Sequence, residues 1–145
     1  MSVRFETKKD LYRENKAADF LCNMFGFNKK KLGENDIDFA IYDNERFAFY
    51  LEVKGRLKNI DVAYPLPISV KKLTKIQDKK EQSVILWACD DGIIFSRIEK
   101  LSGVIKVGGR KPREGSSNDI EFMAYYNKET NLKEIKYYKQ CDKKN

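Results

Sequence analysis

Apolar residues recur over residues 7–25 at the spacing of one face of a helix. At about 100° per residue they form a single stripe, which predicts an amphipathic helix. The apolar members of the stripe are Leu11, Ala18, Leu21, Cys22 and Phe25. Thr7 is a suitable N-terminal cap, and Gly26 is expected to end the helix. Glu14 falls inside the stripe, where a carboxylate needs a partner.

Two apolar strands follow the helix, and charged residues interrupt both of them. Glu52 and Lys54 share one face of the second strand, because side chains alternate between the faces. A three-residue turn would place Asp38 directly opposite Glu52, whereas a two-residue turn would place it opposite Leu51. Burying unpaired charge is costly, so we predict the three-residue turn and a cluster of two carboxylates and one ammonium. The strands are predicted at residues 37–42 and 47–54.

The rest of the chain predicts a second helix, further strands and a basic loop. Ser69 is the expected cap of the helix, which extends to about Gln82 and places Gln77 beside its apolar side. Asp91 and Gly92 form a hairpin turn signal between two apolar runs. The remaining predicted segments are strands at residues 83–89 and 93–98, a basic loop at 102–118 and a C-terminal hairpin at 119–139.

The length and charge of the chain indicate one basic domain over residues 1–145, with its core at about residues 8–100. The net charge of +7 favours an anionic partner, most often nucleic acid. The basic residues predicted to contact it lie in four places. They are Lys29, Lys30 and Lys31 in a loop; Arg56 just after the second strand; Lys71, Lys72 and Lys75 on the outer face of the second helix; and Arg110 and Arg113 in the later basic loop.

The absence of histidine removes His-based triads and most zinc enzymes. The three cysteines are widely separated, so neither a disulfide framework nor a zinc knuckle is expected. A metal site would therefore use hard, oxygen-liganded ions such as Mg²⁺. No run of about 18 apolar residues and no apolar secretion block occurs, so a cytoplasmic protein is expected.

The acidic and basic residues of the hairpin resemble the motif of the PD-(D/E)xK nuclease superfamily. Asp38 leads an apolar strand, and the segment from Glu52 to Lys54 lies in the next strand, after a helix that bears Glu14. Small Holliday junction resolvases and virus-encoded restriction-like endonucleases are the most similar in size and order. The resemblance implies an α/β, restriction-endonuclease-like fold with an αβββαβ core, a mixed central sheet flanked by helices, and an extra C-terminal β-hairpin.

The same resemblance implies metal-dependent cleavage of DNA with Mg²⁺ or Mn²⁺. Asp38 and Glu52 would be metal ligands and Lys54 the catalytic lysine. Glu14 would be an accessory acidic residue of the metal shell, and Gln77 resembles a glutamine that some members place near the site. One departure bears on the assignment: Ile37 stands where the motif often has proline. Asp36 is a rival to Asp38 because both would share one strand face, and Asp38 is preferred because an unbroken apolar strand starts immediately after it.

A second hypothesis is a non-catalytic protein that binds nucleic acid on the same fold. The presence of Lys54 beside two carboxylates argues against it, because a binding scaffold has little need for that combination. A homodimer is compatible with the nuclease hypothesis, since symmetric cutting of two strands needs two sites. The sequence leaves open whether the substrate is DNA or RNA and whether a junction or flap is required.

Overall fold

The computed structural model describes residues 8–33, 37–109 and 120–137. The helices are α1 (Lys8–Phe25) and α2 (Val70–Lys75), with short 3₁₀ helices at Ile60–Val62, Gln77–Gln82 and Ile98–Lys100. The strands are β1 (Asn28–Lys31), β2 (Phe39–Asp43), β3 (Arg46–Gly55), β4 (Leu66–Ser69), β5 (Ser83–Ala88), β6 (Gly92–Arg97), β7 (Val104–Gly109), β8 (Ile120–Tyr126) and β9 (Lys133–Lys136).

A mixed sheet in the order β1-β2-β3-β5-β6-β9 forms the centre of the molecule. Strands β3 and β5 are parallel, and their neighbours are antiparallel. The parallel pair needs a crossover, and the chain between these strands supplies it with β4 and α2. Apart from β4, which belongs to a second sheet, the elements follow the order α1-β1-β2-β3-α2-β5, which confirms the predicted αβββαβ core and the mixed central sheet.

Helix α1 covers one face of the central sheet, and its predicted extent is confirmed. Its buried residues are Ala17, Ala18, Leu21 and Cys22, which pack in one apolar cluster with Leu51 and Val53 of β3. Leu11 and Phe25 are 44% and 52% exposed, so only the middle of the predicted stripe is buried. Because Leu51 and Val53 point toward α1, strand alternation directs Glu52 to the opposite face.

A second sheet in the order β4-β8-β7 packs against that opposite face. Trp87 of β5 is fully buried between the two sheets, and its indole nitrogen donates a 2.8 Å hydrogen bond to the carbonyl oxygen of Pro67 in β4. Indole N–H groups normally find such an acceptor when they are buried. Trp87 therefore links the crossover segment to the central sheet.

We expect Trp87→Phe to lower the free energy of unfolding by about 1–3 kcal/mol, because it removes the buried hydrogen bond and part of the ring. Urea unfolding should be followed by circular dichroism, since Trp87 is the single tryptophan of the chain. Tyr12→Phe changes a 70% exposed side chain and is the control. A loss no greater than that of the control would contradict the linking function of Trp87.

Several segments differ from the sequence-based expectations. Lys29 to Lys31, predicted as a loop, belong to β1, the edge strand of the central sheet, where lysines commonly protect the edge from pairing. The predicted helix from Ser69 to Gln82 is α2 followed by a 3₁₀ helix. The β-branched residues of this segment, among them Val70 and Thr74, weaken a regular helix.

The C-terminal part contains a strand hairpin, as predicted, but with different partners. Strands β7 and β8 form the antiparallel hairpin, so part of the predicted basic loop at 102–118 is a strand. Strand β9 pairs with β6 and extends the central sheet. At Gly92 of β6 a Cβ atom would lie 2.6 Å from the Cα atom of Lys136, which explains a glycine at this contact.

Among the described residues, no helix is long and apolar enough to cross a membrane.

Candidate active site

The β2–β3 hairpin places Asp38 opposite Glu52, but its turn length and register differ from the prediction. Asp43 pairs with Arg46, so the turn has two residues rather than the predicted three. The register then shifts at a β-bulge, because Tyr42 pairs with Phe47 and Ile41 pairs with Phe49. Ala48 is the extra residue, and it restores the register that the longer turn would have given. Phe39 faces Leu51, and the next position along places Asp38 beside Glu52.

The carboxylate of Asp38 is turned toward β3. Its Oδ2 accepts a 2.8 Å hydrogen bond from the backbone N–H of Val53. Asp38 is half-buried, and its charge contributes to raising the pKa of Glu52. Both observations place the two carboxylates in each other's electric field. Asp38 is thus held by the backbone of the strand that carries Glu52.

Glu52 is fully buried at the centre of the site. Burial raises the pKa of its carboxyl group, and Asp38 raises it further, while Lys72 and Lys75 oppose both effects. Lys72 Nζ lies 3.1 Å from Oε2 and forms a hydrogen bond. Lys75 Nζ lies 3.4 Å from Oε1, yet this oxygen has no hydrogen-bond partner among the described residues. Within the described part of the chain, Glu52 therefore keeps one buried oxygen that is ion-paired but accepts no hydrogen bond.

The two lysines reach Glu52 from one face of α2. Ser69 Oγ caps this helix by accepting a 3.2 Å hydrogen bond from the N–H of Lys72. Residues three positions apart lie on the same side of a helix, so Lys72 and Lys75 point inward together. The sequence-based expectation of an outer basic face holds for the exposed Lys71 but not for these two. Burial opposes the charge of Lys72, but Glu52, Asp38 and Glu14 more than offset it and raise its pKa.

Glu14 and Lys54 approach the same end of β3. Glu14 is half-buried on α1, and its Oε2 lies 3.7 Å from the place where a Cβ atom at Gly55 would be. This is an ordinary van der Waals distance, so the Glu14 carboxylate lies against the end of the strand. Lys54 is half-buried and lies two positions after Glu52, on the same strand face. The end of β3 is therefore surrounded by three acidic residues and by lysines from two elements. The acidic residues are Glu14, Asp38 and Glu52, and the lysines are Lys54 of β3 and Lys72 and Lys75 of α2.

The side chains at this site are suited to bind Mg²⁺ through two carboxylates, without protein ligands at every coordination position. In the described parts of the chain, no group of three or more His, Cys, Asp or Glu side chains is close enough to hold a metal ion. Mg²⁺ is usually bound by one or two carboxylates, with water and substrate phosphate completing its shell. Asp38 and Glu52 meet that requirement, and Oε1 of Glu52, which is ion-paired with Lys75 but accepts no hydrogen bond among the described residues, is a candidate ligand atom.

The other predicted site residues lie farther from this centre or serve structural contacts. Gln77 is exposed at the start of a 3₁₀ helix, and no contact joins it to the carboxylates among the described residues. Arg56 donates from Nε to the carbonyl oxygen of Ala63 at 2.9 Å and from Nη2 to that of Pro65 at 3.4 Å. Its guanidinium thus fixes the crossover segment. Asp36, Arg110 and Arg113 lie outside the described residues.

The lysines of β1 are divided between internal contacts and solvent. Lys29 forms a 3.2 Å ion pair with Asp19 of α1. Both Lys29 and Lys31 place their ammonium groups near the ring of Phe39, at 5.1 and 5.6 Å from its centroid. Lys30 is exposed. Lys30 and Lys31 are the two that remain accessible to a nucleic acid backbone.

A basic cavity of about 400 Å³ adds cations that the sequence reasoning did not select. It lies between the first half of α1 and the end of β5, and its wall includes Cys89 and the ring of Tyr137. Lys16 places its ammonium 4.6 Å from the centroid of that ring. The basic residues of the wall are Lys8, Lys9, Arg13 and Lys16. Their recurrence on the non-apolar side of the predicted helix is the signal that could have identified them.

Comparison with known proteins gives one positive result. No curated protein matches the chain, and no solved structure does. Residues 1–132 match the protein family described as "Phage putative PDDEXK endonuclease". This match spans α1, the hairpin with Asp38 and Glu52, the crossover with α2, and all three strands of the second sheet. The chain therefore belongs to this phage family of the PD-(D/E)xK nuclease superfamily.

Proposed function

We propose that this protein is a metal-dependent endonuclease that hydrolyses phosphodiester bonds in DNA. The observation that carries the proposal is the fully buried Glu52 carboxylate beside Asp38. Burying a carboxylate next to a second one costs folding free energy, and a packing role alone does not require it. A site that gathers cations and phosphate explains why the chain maintains this arrangement.

Phosphodiester hydrolysis requires an activated water, neutralisation of the charge on the phosphate, and stabilisation of the leaving alkoxide. Asp38 and Glu52 would hold Mg²⁺ or Mn²⁺, and Glu14 would support the bound ion from α1. When bound, such an ion lowers the pKa of a coordinated water and neutralises phosphate oxygens. The hydrogen bond from Val53 N–H fixes the orientation of Asp38 before any substrate arrives.

The lysines of the site would act on the phosphate directly. Lys54 shares the strand face of Glu52, where its ammonium can donate to a phosphate oxygen or orient the attacking water. Lys72 already lies at the carboxylates, and its side chain is 39% exposed, so it can reach a bound phosphate. A buried strand positions Lys54, whereas a six-residue helix positions Lys72. Lys54 is therefore the better candidate for the catalytic lysine.

The basic surface supports a nucleic acid substrate, and a branched DNA such as a junction or flap remains our expectation. The second candidate function, binding without cleavage, is favoured by the ion pairs of Glu52. Lys72 and Lys75 neutralise this carboxylate without a metal ion. In that case the carboxylates would anchor α2, and the lysine surface would bind DNA.

We expect the protein to cut DNA with Mg²⁺ or Mn²⁺ and to lose this activity in EDTA. Linear duplex, single-stranded, flap and four-way-junction DNA should be compared at equal concentrations. Lys54→Met should lower the single-turnover rate by about 10²-fold, because one transition-state donor is removed. Binding of the same DNA in EDTA should change by less than about 5-fold.

Two outcomes would decide against parts of this proposal. If the wild type binds these DNAs but cuts none of them with either metal, the binding function replaces the enzymatic one. If Lys54→Met cuts as fast as the wild type, the protein remains a nuclease but Lys54 is not its catalytic lysine. Lys58→Met, an exposed lysine beyond the end of β3, is the matched control.

A further inference from the structure

Three aromatic rings form a row on the β2–β3 hairpin, beside the candidate active site. The ring centroids of Tyr42 and Phe47 are 5.9 Å apart, and those of Phe47 and Tyr50 are 4.8 Å apart. Phe47 is 38% exposed, and the two tyrosines are half-buried. We name Tyr42, Phe47 and Tyr50 the aromatic row. Phe47 presents its ring to solvent, while Tyr50 also packs against the buried cluster that contains Trp87.

The β-bulge at Ala48 creates this row. Regular alternation would place Phe47 and Tyr50 on opposite faces of β3, because they are three positions apart. The extra residue turns Phe47 to the face of Tyr50, as bulges commonly re-aim a side chain. Tyr50 precedes Glu52 by two positions, so the aromatic row lies on the strand face that carries Glu52. The same irregularity thus brings Asp38 to Glu52 and Phe47 to Tyr50.

Lysines line the path from the aromatic row to the carboxylates. Lys79 places its ammonium 5.2 Å from the ring centroid of Tyr50. Lys75 and Lys72 follow at Glu52, at 3.4 and 3.1 Å from its carboxylate oxygens. Aromatic rings that alternate with cations are the arrangement by which proteins bind single-stranded nucleic acid, through stacking of bases and contacts to phosphates.

We infer that the aromatic row stacks unpaired bases and directs a single-stranded segment to the candidate active site. The substrate class is then nucleic acid with a single-stranded part, such as a flap, a gap or an open junction. Duplex DNA has its base faces occupied by neighbouring pairs and would not use the row. This inference rests on the proposed nuclease function and specifies the substrate of the same site.

The test measures binding without cleavage, in EDTA, by fluorescence anisotropy. The probes are a labelled single-stranded oligonucleotide and a hairpin duplex of the same length. Phe47→Ala should weaken single-strand binding by about 5- to 150-fold, the range for loss of one stacked base. Duplex binding should change by less than about 2-fold. A 2-aminopurine base in the single strand should be quenched by the wild type and not by Phe47→Ala.

Two further variants separate stacking from folding. Phe47→Leu keeps an apolar side chain without a ring and should lose single-strand affinity like Phe47→Ala, whereas Phe47→Trp should keep it. Phe25→Ala removes a 52% exposed ring that packs with Phe27 and Phe95 at the far end of α1, and it should bind as the wild type does.

Equal affinity of Phe47→Leu and the wild type for the single strand would overturn the inference, as would equal losses for single strand and duplex. Failure of the wild type to bind the single strand at all would also overturn it. The proposed function fails separately, if the wild type cuts no nucleic acid with metal while Phe47→Ala and Phe47→Leu still lose single-strand binding.

Discussion

Glu52→Gln is expected to abolish metal-dependent cleavage while the protein stays folded. The substitution keeps the size of a fully buried side chain and removes the charge that a metal ion requires. Metal ions contribute several kcal/mol to stabilising charged transition states. Since each 1.36 kcal/mol corresponds to a factor of ten in rate, we expect a loss of about 10³-fold or more. Single-turnover cleavage of the best substrate, at saturating Mg²⁺, measures it.

The hairpin itself offers a matched control for this experiment. Glu45 is an exposed residue of the two-residue turn, and Glu45→Gln makes the same chemical change on the same element. It should cut at the wild-type rate. Glu52→Gln should still bind substrate in EDTA and show the wild-type circular dichroism spectrum. A cleavage rate for Glu52→Gln within about 10-fold of the wild type would remove Glu52 from the metal site.

Folding of this variant is expected because the partners of Glu52 can reach solvent. The side chains of Lys72 and Lys75 are 39% and 26% exposed, so their ammoniums can turn to water when the carboxylate charge is lost. Exposed amines are hydrated at little cost, unlike a buried carboxylate without a partner. An inactive Glu52→Gln protein would therefore report on chemistry rather than on unfolding.

The sequence predicted the parts of the site that depend on periodicity. The stripe of α1 and the alternation of β3 were sufficient to place Glu14 near the sheet and Glu52 with Lys54 on one face. The opposition of Asp38 and Glu52 was also predicted, but from an incorrect turn length. A β-bulge at Ala48 leaves no signal in a single sequence, because alanine fits a regular strand as well as a bulge.

The inward lysines of α2 were missed for a different reason. A helix of six residues is too short for a reliable stripe, and its lysines look like a solvated face. Only the register of β3 against β5, together with the position of β4, brings Lys72 and Lys75 over Glu52. Strand β4 was missed because Pro65 and Pro67 indicate a turn, although proline is tolerated in short strands at a sheet edge.

Replacing both inward lysines should make the metal-free protein less stable and its metal binding tighter. In Lys72→Met with Lys75→Met, the buried Glu52 carboxylate keeps its neighbour Asp38 but loses both ammoniums. Breaking a fully buried ion pair costs about 3–5 kcal/mol. We expect a smaller loss in the free energy of unfolding, about 1–3 kcal/mol, because both lysines are partly solvated. The loss should not fall below this range, because a buried charged group without its partner costs at least about 1–3 kcal/mol.

Addition of Mg²⁺ should reverse this loss. The two ammoniums supply positive charge next to the oxygens that a metal ion needs, so removing them leaves the metal ion as the partner of Glu52. A ligand that binds only the folded state stabilises it in proportion to its affinity. The rise in Tm on adding Mg²⁺ should therefore be larger in the double variant, and calorimetry should show a Kd for Mg²⁺ lower by about 10-fold.

The matched control is Lys71→Met, which removes an exposed lysine from the same helix and should change neither quantity. If the double variant matches this control in EDTA and in Mg²⁺, the lysines and the metal ion do not share Glu52. If the variant is destabilised and Mg²⁺ gives no recovery, Glu52 serves the anchoring of α2 alone. The predicted combination is lower stability in EDTA with recovery in Mg²⁺. It requires that the Glu52 carboxylate pair with the two lysines when no metal ion is bound and with Mg²⁺ when one is.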